Sequence, residues 1–349
     1  MMRLIDIGKE TGGANESAVT SRQRHVHHTS HTERGLDMET RQIGSLSVSV
    51  VGLGCNNFGG RLDAERTAAT VRAALDAGIT FFDTADIYGK TRSEEFLGRA
   101  LGRRRNDIVL ATKFGMQVDE QRTGAKPAYV RQAVEDSLRR LGTDYIDLYQ
   151  LHQPDTTTPI ADTLGALDEL VRAGKVREIG CSNFSASELR AGREVARPGA
   201  AQFVSVQNEY SLLQRDPERD VLDECRRTGL AFIPYFPLAS GLLTGKYRHG
   251  QPPPQGSRLQ SQFGTEPFTD ANLLLVESLL DFATSRGHTL VELAVSWLAS
   301  RPTVASIIAG ATSPEQVKTN ATAAGWRLTD TELAEIDAIL SQPAQVSGS

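Results

Sequence analysis

Four side chains in this chain are of the right types to do proton chemistry together: Asp83, Tyr88, Lys113 and His152. A free tyrosine has a pKa of about 10, so it gives up a proton at neutral pH only with help. An ammonium beside it favours the phenolate and lowers that pKa. Lys113 can serve as that ammonium, and Asp83 can pair with it to keep it charged and in place. A neutral imidazole such as His152 can donate a hydrogen bond to a carbonyl oxygen and orient it. No nucleophile is needed if the attacking species is a hydride carried by a cofactor. The chemistry this set suits is reduction of a carbonyl to an alcohol, or the reverse oxidation.

Taken singly, each residue has an ordinary explanation: a helix cap, packing, a solvated charge, a structural histidine. Their positions argue otherwise. Thr40–Ile43 and Leu46–Val50 alternate around Gly44-Ser45 and predict an N-terminal β-hairpin. Beyond it, eight short apolar runs predict strands at 51–54, 80–83, 108–113, 146–152, 178–182, 203–207, 231–235 and 305–309. Helical periodicity follows each one. Asp63 and Ser93 suit helix N-caps, Pro127 and Pro159 suit first turns, and one helix is expected across 217–228. This pattern predicts an α/β chain folded as a (β/α)8 TIM barrel. A doubly wound sheet would carry Gly-x-Gly-x-x-Gly after its first strand, whereas Gly52-Leu53-Gly54-Cys55-Asn56-Asn57 lacks the third glycine. Active sites of such barrels lie where the strands end. The predicted strand ends carry Asp83, Lys113, His152, Ser182-Asn183, Gln207 and Tyr235, with Tyr88 five residues beyond Asp83.

The rest of the chain bounds the answer. It has 349 residues, 39% hydrophobic and 23% charged, with a net charge of -5. That favours a folded protein over a disordered one, and gives no reason to expect a nucleic-acid partner. No apolar run is long enough for a membrane span. Cys55, Cys181 and Cys225 form no Cys-x-x-Cys pair, so a reducing, cytoplasmic setting is expected. Residues 1–37 hold four of the seven histidines without a hydrophobic period, and are expected to be a disordered extension with the barrel over 38–342 and a flexible tail at 343–349. A histidine-rich metal tract is the alternative there, but no partner ligand stands at a defined spacing, so no metal site is assigned. About 241–269 is a Gly/Pro/Gln-rich stretch long enough to act as a lid.

Along roughly 38–340 the sequence resembles the aldo-keto reductases. ITFFDTADIYGKTRSEEFLG at 79–98 resembles the family's first signature, ATKFG at 111–115 its lysine segment, and LYQLHQPD at 148–155 its histidine segment. The resemblance implies a catalytic tetrad of Asp83, Tyr88, Lys113 and His152 in the roles set out above. It implies that Ser182, Asn183 and Gln207 hold a nicotinamide carboxamide and that Tyr235 stacks on the ring. YFPLASGLLTGK at 235–246 resembles the pyrophosphate loop, placing Pro237, Leu238, Gly241 and Lys246 near that group; Phe236 stands where a small serine is common. IIAGATSPEQVKTN at 307–320 resembles the adenosine segment, through Gly310, Thr312, Gln316 and Asn320. Thr312 and Gln316 occupy places where a lysine or arginine often grips a 2′-phosphate. The resemblance to the family implies NADPH as cofactor, with NADH an alternative because these two places carry no charge, and the implied partner is a small-molecule carbonyl substrate.

Two other functions are compatible with parts of the pattern. Some members of the family act as ancillary, nucleotide-sensing subunits. A barrel hydrolase would need paired carboxylates, for which Asp83 and Glu209 are the candidates, but it has no use for the lysine and tyrosine.

Overall fold

The computed structural model describes residues 38–254 and 268–341. The expected N-terminal extension, the central part of the expected lid and the expected tail lie outside them. A two-stranded antiparallel hairpin, β1 (Thr40–Ile43) and β2 (Leu46–Ser49), comes first. Eight parallel strands then close a barrel: β3 (Val51–Gly54), β4 (Phe81–Asp83), β5 (Val109–Phe114), β6 (Ile146–Leu151), β7 (Val176–Ser182), β8 (Phe203–Glu209), β9 (Ala231–Tyr235) and β10 (Ile307–Gly310). β10 returns to pair with β3, so the barrel itself has no open strand edge. The helices between are α1 (Ala64–Asp76), α2 (Arg92–Leu101), α3 (Pro127–Leu141), α4 (Ile160–Arg172), α5 (Ala186–Val195), α6 (Val221–Thr228), α7 (Asp270–Thr284), α8 (Leu290–Ala299), α9 (Pro314–Thr322) and α10 (Asp330–Leu340). The fold is the barrel and hairpin that the sequence pattern predicts. No described helix is long and apolar enough to cross a membrane.

Period-two alternation divides the core into two layers. Phe81, Val109, Ala111, Leu148, Ala231, Ile233 and Ile308 pack together inside, with Ile43, Leu46 and Val48 of the hairpin in the same cluster. The next residues along, Phe82, Leu110, Tyr149 and Phe232, belong to the outer layer beneath the helices. Arg41 ties the hairpin down by donating to the carbonyls of Val304 (2.6 Å) and Ala299 (2.7 Å).

Local differences from the sequence expectations have identifiable causes. Asp63 caps α1 by accepting from the Arg66 amide, as expected. Ser93 caps nothing; α2 already begins at Arg92, and the Ser93 hydroxyl is buried, donating to the Cys55 carbonyl and sharing a hydrogen bond with Thr84. The helix expected across 217–228 is broken: a 3-10 turn at Asp216–Arg219 is followed by α6, with Asp220 at φ -158 and ψ -31 between them. β5 and β8 outrun their predicted ends by one and two residues, so Lys113 and Gln207 stand inside strands rather than at their tips.

Candidate active site

Alternation puts Lys113 in the same inward row as Val109 and Ala111, at the layer just below the barrel mouth. It is fully buried. Its ammonium is 2.6 Å from Asp83 Oδ2, 2.9 Å from the Thr84 carbonyl and 3.5 Å from Tyr88 Oη. A lysine has three N–H donors and no acceptor, so these contacts use all three. The bond to Tyr88 must use a phenol lone pair, which leaves the Tyr88 O–H free to point elsewhere. The other oxygen of Asp83 accepts from two amides, Gln150 Nε2 at 3.2 Å and Gln207 Nε2 at 3.0 Å. His152 follows β6 directly, and its ring stands edge-on to Tyr88 with centroids 5.7 Å apart.

These groups open onto one cavity of about 760 Å³, and all the sequence-predicted site residues line it except Lys113, which lies beneath Asp83 and Tyr88. Ser182, Asn183 and Tyr235 are paired to one another and to the backbone. Ser182 Oγ donates to the Gln207 carbonyl at 2.7 Å, Asn183 Nδ2 donates to the His152 carbonyl at 3.0 Å, and Tyr235 Oη donates to Asn183 Oδ1 at 2.8 Å. Farther along, Thr312 donates to Gln316 Oε1 from both its amide and its hydroxyl. The loop after β9 holds Phe236, Ala239 and Ser240 at positive φ, a conformation that costs non-glycine residues energy and gathers at functional sites.

Some contributors were not singled out in the sequence. Gln150 shares the inward face with Leu148 and His152, so strict period-two counting along β6 would have found it. Gly180 makes room for it: a Cβ there would come within 3.3 Å of Gln150 Cγ and 2.5 Å of Ser205 Oγ. Asn56, Asn57, Arg61 and Met116 also line the cavity, on loops where no periodicity marks them, as does Glu315 in the first turn of α9. Among the described residues no group of three or more His, Cys, Asp or Glu side chains is arranged to hold a metal.

Residues 50–341 match the Aldo/keto reductase family. The chain belongs to this family. It is 35% identical over 307 residues to the aldo-keto reductase YhdN of Bacillus subtilis, which covers 84% of this chain and 91% of that protein. It is equally identical, over 301 residues, to a protein of Oryza sativa subsp. japonica named as a probable voltage-gated potassium channel subunit beta, covering 81% and 90%. Among solved structures, the glycerol dehydrogenase of Gluconobacter oxydans superposes with a TM-score of 0.75 at 32% identity, over 89% of this chain and 98% of its own. This aldo/keto reductase chain is thus an oxidoreductase by family.

The electrostatics of this aldo/keto reductase site are set by burial. Burial alone would discharge Lys113, but the Asp83 carboxylate and the Tyr88 oxygen outweigh it and hold the lysine above its usual range, charged. Tyr88 differs from the sequence expectation. Burial raises its pKa more than the Lys113 charge lowers it, and Asp83 adds to the rise, so the net shift is upward. Lys113 thus offsets burial rather than making a free acid of the phenol, and Tyr88 rests protonated. His152 is pushed down to about 3 by burial and then by Lys113, so it is neutral. Just behind the tyrosine loop, Asp86 is raised to about 7 by burial and by the neighbouring Glu94 carboxylate.

Proposed function

We propose that this protein reduces an aldehyde or ketone to an alcohol with a nicotinamide dinucleotide, NADPH by preference, with Tyr88 as the proton donor. A cavity of about 760 Å³ is within the range of cofactor sites. Amide and hydroxyl groups gather at its catalytic end, and the Lys246 ammonium stands farther along its wall; this donor set suits a dinucleotide with a carboxamide and a pyrophosphate. When bound, the dinucleotide supplies the hydride. Ser182, Asn183 and Gln207 would hold its carboxamide, which requires the Tyr235–Asn183 bond to exchange, freeing Tyr235 to stack on the ring. Lys246, with Pro237, Leu238 and Gly241, would hold the pyrophosphate, and Gly310, Thr312, Gln316 and Asn320 the adenosine.

The observation that carries this function is the exhausted donor set of Lys113. With one oxygen lone pair engaged below, Tyr88 keeps its O–H to offer a substrate. As that proton leaves, negative charge develops on Oη, 3.5 Å from a buried ammonium where it is best stabilised. Asp83 keeps that ammonium charged and still. Neutral His152 keeps a ring N–H for the carbonyl oxygen and adds no second positive charge beside Lys113. The three cysteines are free and buried, which suits a reducing, cytoplasmic setting.

Tyr88→Phe removes the acid and little else. With a reactive aldehyde and NADPH, turnover should fall by roughly 10²-fold or more, since general acid catalysis contributes about 10²–10⁴. Cofactor affinity, read from NADPH fluorescence, should hold. Turnover within about tenfold of the parent would remove Tyr88 from the mechanism. The rice relative's name favours one other function, a dinucleotide-binding ancillary subunit. A parent protein that binds NADPH tightly yet turns over none of a broad carbonyl panel would establish that function instead.

A further inference from the structure

If the cavity takes a phosphorylated dinucleotide, the adenosine wall raises a charge problem. A 2′-phosphate carries about -1.5 to -2 charges near neutrality. The α9 side of the cavity meets it with no lysine or arginine: Thr312 and Gln316 are uncharged and bonded to each other, and Glu315 presents an exposed carboxylate. The nearest cation, Arg66, is already engaged by the Thr312 carbonyl at 3.3 Å, so a dianion there calls for a cation with N–H groups to spare.

Such a cation stands on the loop next to this wall. Arg61 lines the cavity from the loop between β3 and α1, and has no hydrogen-bond or ion-pair partner among the described residues. Its place is fixed from both sides. Four residues before it, Asn57 Nδ2 donates to the Ala311 carbonyl at 3.3 Å. Five residues after it, Arg66 Nη2 donates to the Thr312 carbonyl at 3.3 Å. The loop is thus stitched along the 311–312 turn, and Arg61 lies between the stitches in the chain and lines the same cavity as Thr312. A planar guanidinium with unused N–H groups is well matched to a phosphate.

We infer that Arg61 grips the 2′-phosphate of NADPH and so sets the preference for NADPH over NADH. This rests on the proposed dinucleotide site. An arginine on the β3–α1 loop then does the work that the adenosine segment of this chain leaves undone.

The test is binding, not turnover. NADPH and NADH are titrated separately into the parent protein and into Arg61→Gln, followed by nicotinamide fluorescence, at two salt concentrations. The parent should prefer NADPH, more so at low salt. Arg61→Gln should weaken NADPH by about tenfold or more, the scale of one charge-assisted contact, and leave NADH within about twofold. Unchanged NADH binding also shows that the variant is folded. Arg61→Lys should fall between the two. Equal losses for both dinucleotides, or no loss for either, would overturn the assignment. A parent protein that bound neither dinucleotide would sink the proposed function itself, a different and distinguishable failure.

Discussion

Asp83 gathers donors from three strands: Lys113 of β5, Gln150 of β6 and Gln207 of β8. A buried carboxylate with both oxygens so fully engaged has little freedom to move. Asp86, three residues on, is the opposite case: Oδ1 is buried without a partner, and the acid is pushed up to about 7. Its folded pKa lies above its unfolded value, so the folded state holds the extra proton between about pH 4 and 7. Stability from this group is present in acid and is lost as pH rises through that window. Asp86→Asn has no proton to lose. Its stability relative to the parent, from urea unfolding at pH 5 and pH 8, should therefore rise with pH, by on the order of 1 kcal/mol per unit inside the window. A pH-independent difference would show that Asp86 is ionised throughout. Of this level of detail the sequence disclosed the residue types and not their balance. It showed that Lys113 and Tyr88 belong together, but the sign of the Tyr88 shift depends on how much burial opposes one charge, and burial depth is not written in spacing.

Between elements, one buried pair fastens α2 to α3. Arg140 Nε lies 2.6 Å from Glu94 Oε2, and Glu94 Oε1 accepts from Thr112 of β5 at 2.6 Å. Glu94 is wholly buried. Replacing Arg140 with Met leaves that carboxylate without its counter-charge, and should cost about 3 kcal/mol in urea unfolding at pH 7. Glu94→Gln in the same background should recover part of the loss, and its failure to do so would put the cost down to packing. The fold itself was legible because strands of period two and helices of period 3.6 alternate from Val51 onward, and because Gly, Pro and cap residues mark most boundaries. Where boundaries slipped, a local rule met a tertiary demand. Ser93 looks like a cap but is needed inside, and the Pro217 segment starts a turn that Asp220 stops. Loop contributors such as Asn57 and Arg61 were not legible, since what places them is contact with residues some 250 positions away.

For the molecule as a whole, the hairpin matters more than its length suggests. Ile43, Leu46 and Val48 fill the end of the barrel opposite the catalytic groups, and Arg41 seals the join. Among the described residues that end is closed, and the catalytic cavity opens at the other. Two ligands that must meet inside it have to queue: whichever lies deeper enters first and leaves last. If the carboxamide is held at Ser182 and Gln207 as proposed, the dinucleotide is the deeper guest. Steady-state inhibition should then show NADP⁺ competing with NADPH, and the alcohol product not competing with it. Competition between the alcohol and NADPH for the free protein would mean that the queue can form in either order.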